Sequence, residues 1–136
     1  MWYEQPRDSD RLQGFSYQTE QGLRCAGFLL TSVVNAVWQP TYGAQICAQD
    51  VANQALAGVT FFPTSSGAIY TIAFGTVVDP SITAIAVVFD DGTNQTVTRV
   101  QGGFLVVRPG VSGVTTITAI DAEGFTAIDN IPQTPV

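Results

Sequence analysis

Residues 82–110, ITAIAVVFDDGTNQTVTRVQGGFLVVRPG, alternate between short apolar runs and turn dipeptides. The first run, 82–89, has apolar side chains at odd and even positions; Asp91-Gly92 follows it and Gly102-Gly103 precedes the next run. Short runs bounded by Asp-Gly or Gly-Gly are typical of β-hairpins. Because both faces of 82–89 are apolar, we expect this stretch to be a central strand that is buried on both sides.

The same pattern of short apolar runs separated by turn residues continues on both sides of this stretch. Gln39-Pro40 is expected to end one of the strands, and Ser65-Ser66-Gly67 and Pro109-Gly110 mark turns. The expected strands are 24–31, 33–38, 59–62, 68–78, 82–89, 96–101, 104–108, 114–120 and 125–128. Strands at this spacing predict a mainly β fold, an Ig-like or related β-sandwich.

One helix is predicted, over about residues 48–57. Ile46, Val51, Ala55 and Leu56 fall near helical spacing, and Gly58 would supply the C-terminal stop. The fold class is therefore a β-sandwich with one short helix.

The length of 136 residues indicates a single domain. Residues 1–22 are charged, contain Pro6 and show no apolar period, so we expect an N-terminal arm that packs on its own domain or on a partner chain. The β-rich domain is expected over 23–129, with an extended tail over 130–136. The polar, acidic start does not resemble a signal peptide, which leaves a leaderless chain or a mature form with a start Met.

Missing residue types exclude most chemistry. The chain has no His, no Lys, five Arg and a net charge of −6. Without an imidazole, Ser-His-Asp and Cys-His catalysis are unavailable, and two Cys without His do not make a four-ligand zinc site. Dispersed Arg make a poor nucleic-acid surface, and the apolar stretch 26–38 is too short to span a bilayer. We assign no catalytic residue, metal or cofactor, and expect no nucleic-acid partner and no membrane insertion.

Cys25 and Cys47 are the two cysteines of the chain. As a disulfide they would close a loop of about 23 residues, worth about 3 kcal/mol in the chain-entropy model. The alternative is a pair of buried thiols, which pack as small hydrophobic side chains. We favour the disulfide.

The weak candidates for calcium are Asp90, Asp91 and Asn94, with Asp121 and Glu123 elsewhere. Their hard oxygens suit calcium, but the bidentate Glu of a calcium loop is missing after Asn94. Asp and Asn also populate turns because they bond their own backbone, and this reading is favoured.

The order of these motifs resembles the small extracytoplasmic β domains of bacterial secreted or membrane-anchored proteins. The resemblance covers about residues 23–128 and rests on the runs 75–82, 86–92, 103–106 and 118–124 and on the upstream Cys25 and Cys47. It implies a disulfide and an extracytoplasmic location, places Cys47 at the start of the helix, and brings no catalytic residue, since most such domains have no assigned activity.

The low charge content indicates a surface that binds other protein chains, because interface cores are depleted in charge and in Lys. We expect a non-catalytic structural or accessory subunit in a homo- or hetero-oligomeric assembly, with Trp2, Tyr3, Arg7 and Arg11 of the arm as partner-binding residues. One alternative is a glycan- or envelope-binding module with a face of Trp2, Tyr3, Trp38, Tyr42 and Tyr70. A remote alternative is a carboxylate-based hydrolase.

Overall fold

Three antiparallel sheets are present in the residues that the computed structural model describes, which are 3–7, 10–49, 55–99 and 102–136. Sheet 1 contains β1 (Tyr3–Arg7), β2 (Asp10–Gln18), β3 (Arg24–Val34) and β4 (Val37–Ala48) in that order. Sheet 2 contains β5 (Ala55–Pro63), β6 (Ile69–Val77) and β9 (Gly103–Pro109), with β6 in the centre. Sheet 3 has the order β11-β10-β7-β8, formed by β7 (Ile82–Phe89), β8 (Asn94–Thr98), β10 (Val114–Asp121) and β11 (Thr126–Ile128).

Sheet 2 lies between the other two sheets, and each of its faces contributes to a separate hydrophobic core. The first core joins sheets 1 and 2 through Leu12, Ala26, Phe28, Leu30, Ile46, Leu56, Phe62, Ile72, Phe74, Leu105 and Val107. The second joins sheets 2 and 3 through Ala57, Ala73, Val77, Ile82, Ile85, Val87, Phe89, Phe104, Val106, Ile117, Ala119 and Ile131. Burial of apolar area on both faces makes sheet 2 the layer on which the two outer sheets depend.

The centre of sheet 2 is packed closely enough to require glycine. Alternate residues of β6 enter different cores: Ile72 and Phe74 the first, Ala73 and Val77 the second. A Cβ on Gly75 would lie 2.0 Å from the carbonyl oxygen of Leu56. The backbones of β5 and β6 therefore come so close together at Gly75 that no side chain fits between them.

The prediction that β7 is buried on both sides is wrong. β7 is an inner strand of sheet 3, but Ile85, Val87 and Phe89 are buried while the residues between them are only partly covered. Its outer face carries small apolar side chains rather than a second core. The two-sided strand is β6, which is buried from Thr71 to Val77.

The stretch 1–22, expected to be an arm, contains two strands of sheet 1. β1 pairs with β2 and β2 with β3, and Leu12 of β2 lies fully inside the first core. The buried Asp10 accepts hydrogen bonds from the amide and the hydroxyl of Ser65, at 2.8 and 2.6 Å. This carboxylate ties the start of β2 to the turn between β5 and β6.

The helix predicted over 48–57 is not confirmed. Ala48 ends β4 and Ala55 begins β5, while residues 50–54 lie outside the described part of the chain. Ile46 in β4 and Leu56 in β5 lie in the same core, although their strands belong to different sheets. Their separation in sequence matches the spacing of one helix face only by coincidence. Cys47, which was expected at the start of this helix, lies in β4.

The tail 130–136 runs along the body of the protein. Ile131 is buried in the second core and its amide donates to the carbonyl oxygen of Ile117 at 2.8 Å. Gln133 bridges Ala57, and the amide of Thr134 donates to Ala57. The extended tail thus packs against sheets 2 and 3.

The predicted mainly β fold is confirmed, whereas the Ig-like type is not, because the strands form three sheets and not the two of an Ig domain. Pro40, expected to end a strand, lies inside β4. β4 is the edge of sheet 1, and an edge strand tolerates a residue that lacks an amide proton. The described residues contain no helix with the length and hydropathy of a membrane-spanning segment.

Candidate functional site

The far end of the β3–β4 hairpin exposes large apolar side chains. Five of them are each more than one-third exposed, and we call them the hairpin patch: Val33, Val34, Val37, Trp38 and Tyr42. Val37 is 57% exposed and Trp38 is 44% exposed. A group of exposed large apolar side chains marks contact with another molecule more often than a single exposed residue does.

A two-residue turn closes the hairpin and aligns the patch. Val34 pairs with Val37 across the turn, and Asn35 and Ala36 have φ angles of 52° and 64°. Two successive residues with positive φ indicate a type I′ turn, whose twist matches that of the strands. Val33 pairs with Trp38, so one face of the hairpin carries Val33 and Trp38 and the other carries Val34 and Val37.

Of the four residues predicted to bind partners, Arg11 reaches the hairpin patch. Its guanidinium carbon lies 4.5 Å from the centroid of the Trp38 ring, a cation–π contact that orients the indole. Tyr3 and Arg7 are the ends of β1, paired with Gly14 and Asp10. Trp2 lies outside the described residues.

A cleft of about 270 Å³ opens beside the patch, between the hairpin and the β5–β6 turn. Its lining is Ser32, Val34, Thr41, Pro63, Thr64 and Ser65. The hydroxyls of Ser32 and Thr41 are hydrogen-bonded to each other at 2.8 Å. These two hydroxyl groups on the wall of the cleft therefore already have a hydrogen-bond partner. The cleft suits an apolar side chain that enters from outside the molecule.

The predicted disulfide between Cys25 and Cys47 is present and joins β3 to β4. The two residues are directly opposite each other, with Cα atoms 4.1 Å apart, which matches a closely spaced cross-strand pair. The bond lies at the base of the hairpin, and the Asn35-Ala36 turn lies at its tip. The hairpin is therefore fixed at both ends.

The outer face of sheet 1 carries two aromatic rings side by side. The centroids of Phe15 and Tyr17 are 6.2 Å apart with 22° between the ring planes, and the Tyr17 hydroxyl donates to Gln45 Oε1 at 2.9 Å. A Cβ on Gly27 would lie 2.5 Å from Phe15 Cζ, so the ring covers the glycine. Of the other aromatic residues proposed for a glycan face, Trp38 and Tyr42 belong to the hairpin patch and Tyr70 stacks on the buried Phe62.

The three residues considered for calcium serve the turn between β7 and β8 and its surroundings. Asp90 accepts from the Thr115 hydroxyl at 2.7 Å, and Asp91 pairs with Arg108 and accepts from the amide and hydroxyl of Thr93. Asn94 begins β8. The two carboxylates bind different partners. That these residues serve the turn rather than calcium stays a prediction.

The ion pair between Asp91 and Arg108 shifts the pKa of both groups. The Arg108 guanidinium, followed by the Thr93 hydroxyl and amide, holds the pKa of Asp91 well below its ordinary value, and Asp91 in turn raises the pKa of Arg108. The guanidinium carbon of Arg108 also lies 4.5 Å from the centroid of the Phe89 ring. Both groups therefore stay charged at neutral pH.

No cluster of three or more His, Cys, Asp or Glu able to hold a metal occurs in the part of the chain that the structure describes. Glu20 and Glu123, two of the three glutamates, lie in different turns. These positions do not test whether carboxylates catalyse a reaction. The expectation of a non-catalytic protein stays a prediction.

Charged residues are distributed unevenly along the chain. Between residues 25 and 78, Asp50 is the only charged residue of the sequence, so β3, β4, β5 and β6 contain Arg24 and no other charge. Six carboxylates come later, on or beside the strands of sheet 3 or their connections: Asp79, Asp90, Asp91, Asp121, Glu123 and Asp129. The hairpin patch itself contains no charged residue, but β1 and β2 of the same sheet contain Glu4, Arg7, Asp10 and Arg11.

The sequence reasoning missed the patch as a unit. It predicted separate strands over 24–31 and 33–38 and so did not bring Val33 opposite Trp38. The available signal was the charge-free interval together with Asn35-Ala36, which is a turn between two apolar runs. The sequence does predict Arg11 as a partner-binding residue, but as part of the arm and not through its contact with Trp38.

No known protein family, curated protein or solved structure matches the chain. The site is therefore defined by its own geometry.

Proposed function

We propose that this chain is a non-catalytic structural or accessory subunit that works by protein–protein contact through the hairpin patch. The observation that carries the proposal is the patch itself, which groups five exposed apolar side chains on a hairpin fixed by a disulfide and a tight turn. A rigid apolar surface binds with a smaller loss of conformational entropy than a flexible one.

The proposal includes an extracytoplasmic location, in keeping with the resemblance to small bacterial extracytoplasmic β domains. The support is the Cys25–Cys47 disulfide, since such bonds persist in oxidising compartments and are rare in the cytosol. Acid quenching of the producing cells followed by alkylation in denaturant tests this, because denaturant exposes the buried Cys25 and only a disulfide then protects it. We expect both cysteines to resist alkylation, and alkylated Cys25 would contradict the location.

The test of contact is the size of the native complex. The wild-type chain and Phe125→Thr, which changes an exposed aromatic residue next to β11, are expected to sediment from the producing cells as part of a complex. The double variant Val37→Thr and Trp38→Thr should sediment as a free chain of 14.4 kDa. Thr favours strands, so the hairpin should persist. A wild-type chain that sediments alone, or a double variant that stays in the complex, would contradict the proposal.

A second candidate function is glycan or envelope binding, favoured by the neighbouring rings of Phe15 and Tyr17. Flat aromatic surfaces beside an amide such as Gln45 present one apolar and one polar contact to a sugar ring. Binding to isolated cell-wall glycan that falls with Tyr17→Ala and survives Trp38→Thr would favour this function. Equal binding by both variants, or none by the wild type, would count against it.

A further inference from the structure

The first three residues of β8, Asn94-Gln95-Thr96, match the acceptor tripeptide for N-linked glycosylation, which is Asn, any residue except Pro, and then Ser or Thr. The chain contains four asparagines, and Asn94 is the only one with Ser or Thr two residues later. A match of three residues also arises by chance in a Thr-rich chain. The position of the tripeptide in the fold therefore decides whether an oligosaccharide fits there.

Asn94 and Thr96 point to solvent from the same face of sheet 3. Successive side chains of a strand alternate between its two faces, and Val97 packs against the second core. Asn94 and Thr96 therefore lie on the opposite, outer face, and both are exposed. Their cross-strand neighbours in β7 are Val88 and Ala86, whose short side chains leave room above the face. The acceptor nitrogen and the hydroxyl that completes the tripeptide are thus accessible together.

The edge position of β8 is a second, independent observation. Proteins normally block an exposed edge strand with charged side chains, a Pro, a β-bulge or a very short strand. β4, an edge of sheet 1, contains Pro40 beside a register shift, and β11, the other edge of sheet 3, has three residues. β8 has five residues, NQTVT, with no charge, no Pro and a regular register with β7. An oligosaccharide on Asn94 would supply the protection that this edge lacks.

We propose that Asn94 is glycosylated when the chain is exported. The donor is an oligosaccharide joined to a lipid pyrophosphate, and a transferase of the export pathway carries out the reaction. The side-chain nitrogen of Asn94 forms a bond to the anomeric carbon of the first sugar, while the bond from that carbon to the pyrophosphate oxygen breaks. The lipid pyrophosphate leaves and the amide nitrogen loses one proton, so the step needs no oxidant or reductant.

The inference rests on the extracytoplasmic location in the proposed function and is compatible with contact through the hairpin patch. Sheets 1 and 3 pack on opposite faces of sheet 2. An oligosaccharide on the outer face of sheet 3 therefore leaves the hairpin patch of sheet 1 open to a partner.

Mass spectrometry of the chain purified from its producing cells tests the proposal. We expect the wild type to be heavier than its sequence mass of 14.4 kDa, with the added mass on the peptide that contains Asn94. Asn94→Gln and Thr96→Val should lose the added mass completely, whereas Thr96→Ser keeps a hydroxyl and should retain it. Thr98→Val is the matched control, because it changes an exposed Thr on the same face outside the tripeptide. Val and Thr both favour strands, and circular dichroism verifies that the variants are folded.

An unmodified Asn94 peptide in the wild type, or added mass that persists in Asn94→Gln, would overturn the proposal. Alkylation of Cys25 in the same cells separates this failure from failure of the location. Unmodified Asn94 with a protected Cys25 overturns glycosylation and leaves the extracytoplasmic location standing. Unmodified Asn94 with an alkylated Cys25 overturns both.

Discussion

The two outer sheets pack on the same middle sheet, yet their turns are built differently. In and beside sheet 3, Asp79, Asp91 and Asp121 each accept hydrogen bonds from amides two residues later, at 2.9 to 3.0 Å. These carboxylates satisfy the turns and face solvent. In sheet 1, Asn35 and Ala36 close the β3–β4 hairpin without a charge and leave apolar side chains exposed. The turns beside sheet 3 are thus held by carboxylates, whereas the β3–β4 turn of sheet 1 depends on two backbone conformations with positive φ.

The largest effect is expected from breaking the layer that both outer sheets share. Phe74 is fully buried, and its ring meets that of Phe28 edge to face at 5.2 Å. Phe74→Ala should lower the free energy of unfolding by about 3–5 kcal/mol, since it leaves a cavity in the first core. Urea denaturation measures this loss, with Phe125→Ala as an exposed control of about 0.5 kcal/mol or less.

Amide hydrogen exchange on the Phe74→Ala variant shows whether the two outer sheets depend equally on sheet 2. We expect β3 and β10 to lose protection together, because both pack on β6 and its neighbours. Loss confined to β3 would mean that sheets 2 and 3 fold as a unit without sheet 1.

The next effect comes from removing the sulfur–sulfur bond of sheet 1. The double variant Cys25→Ala and Cys47→Ala should lose about 3 kcal/mol of stability in the chain-entropy model. Sheet 3 contains neither cysteine, so its amides should lose protection only through global unfolding. An unchanged urea midpoint would contradict the role given to the disulfide.

A smaller effect, of opposite sign, is expected at the tip of the hairpin. Ala36 has a φ angle of 64°, a conformation that costs a non-glycine residue energy. Ala36→Gly creates Asn-Gly, the preferred pair for a type I′ turn, and should raise stability by about 0.5–1 kcal/mol. The matched change Ala48→Gly in β4 should lower it. A destabilised Ala36→Gly would show that the turn is not type I′.

The smallest effect is expected at the exposed ion pair beside sheet 3. The lowered pKa of Asp91 means that the folded state favours its charged form, so its contribution to stability is present above the ordinary value of 3.8. That contribution is lost as the pH falls through the lowered pKa. Asp91→Asn should therefore reduce the melting temperature slightly at pH 7 and progressively less below pH 4. A difference that grows on acidification would contradict the ion-pair account.

Most strands of sheets 2 and 3 were predictable because local chemistry marks their ends. Asp91-Gly92 and Pro109-Gly110 punctuate apolar runs, and Gly92 and Gly110 have the positive φ angles that such turns require. The disulfide was also predictable, as an even pair of cysteines in a chain with few other reactive groups. These features depend on neighbours in sequence.

What could not be predicted depends on contacts between distant residues. β6 becomes the doubly buried strand because β5 and β9 flank it and two sheets cover it, and no local pattern distinguishes it from β7. Ile46 and Leu56 imitate a helix because they enter one core from two sheets. The hairpin patch escaped notice because the pairing of Val33 with Trp38 depends on where the turn falls.

Hydroxyl-radical labelling of Trp38 relative to Phe125 is the most direct test of the contrast between the two outer sheets. Both side chains are accessible in the dilute single chain, at 44% and 70% exposure, so both should react there. In the associated state, our account predicts that Trp38 becomes protected while Phe125 reacts as before. Trp38 that reacts equally in both states would contradict the claim that sheet 1 is the contact surface.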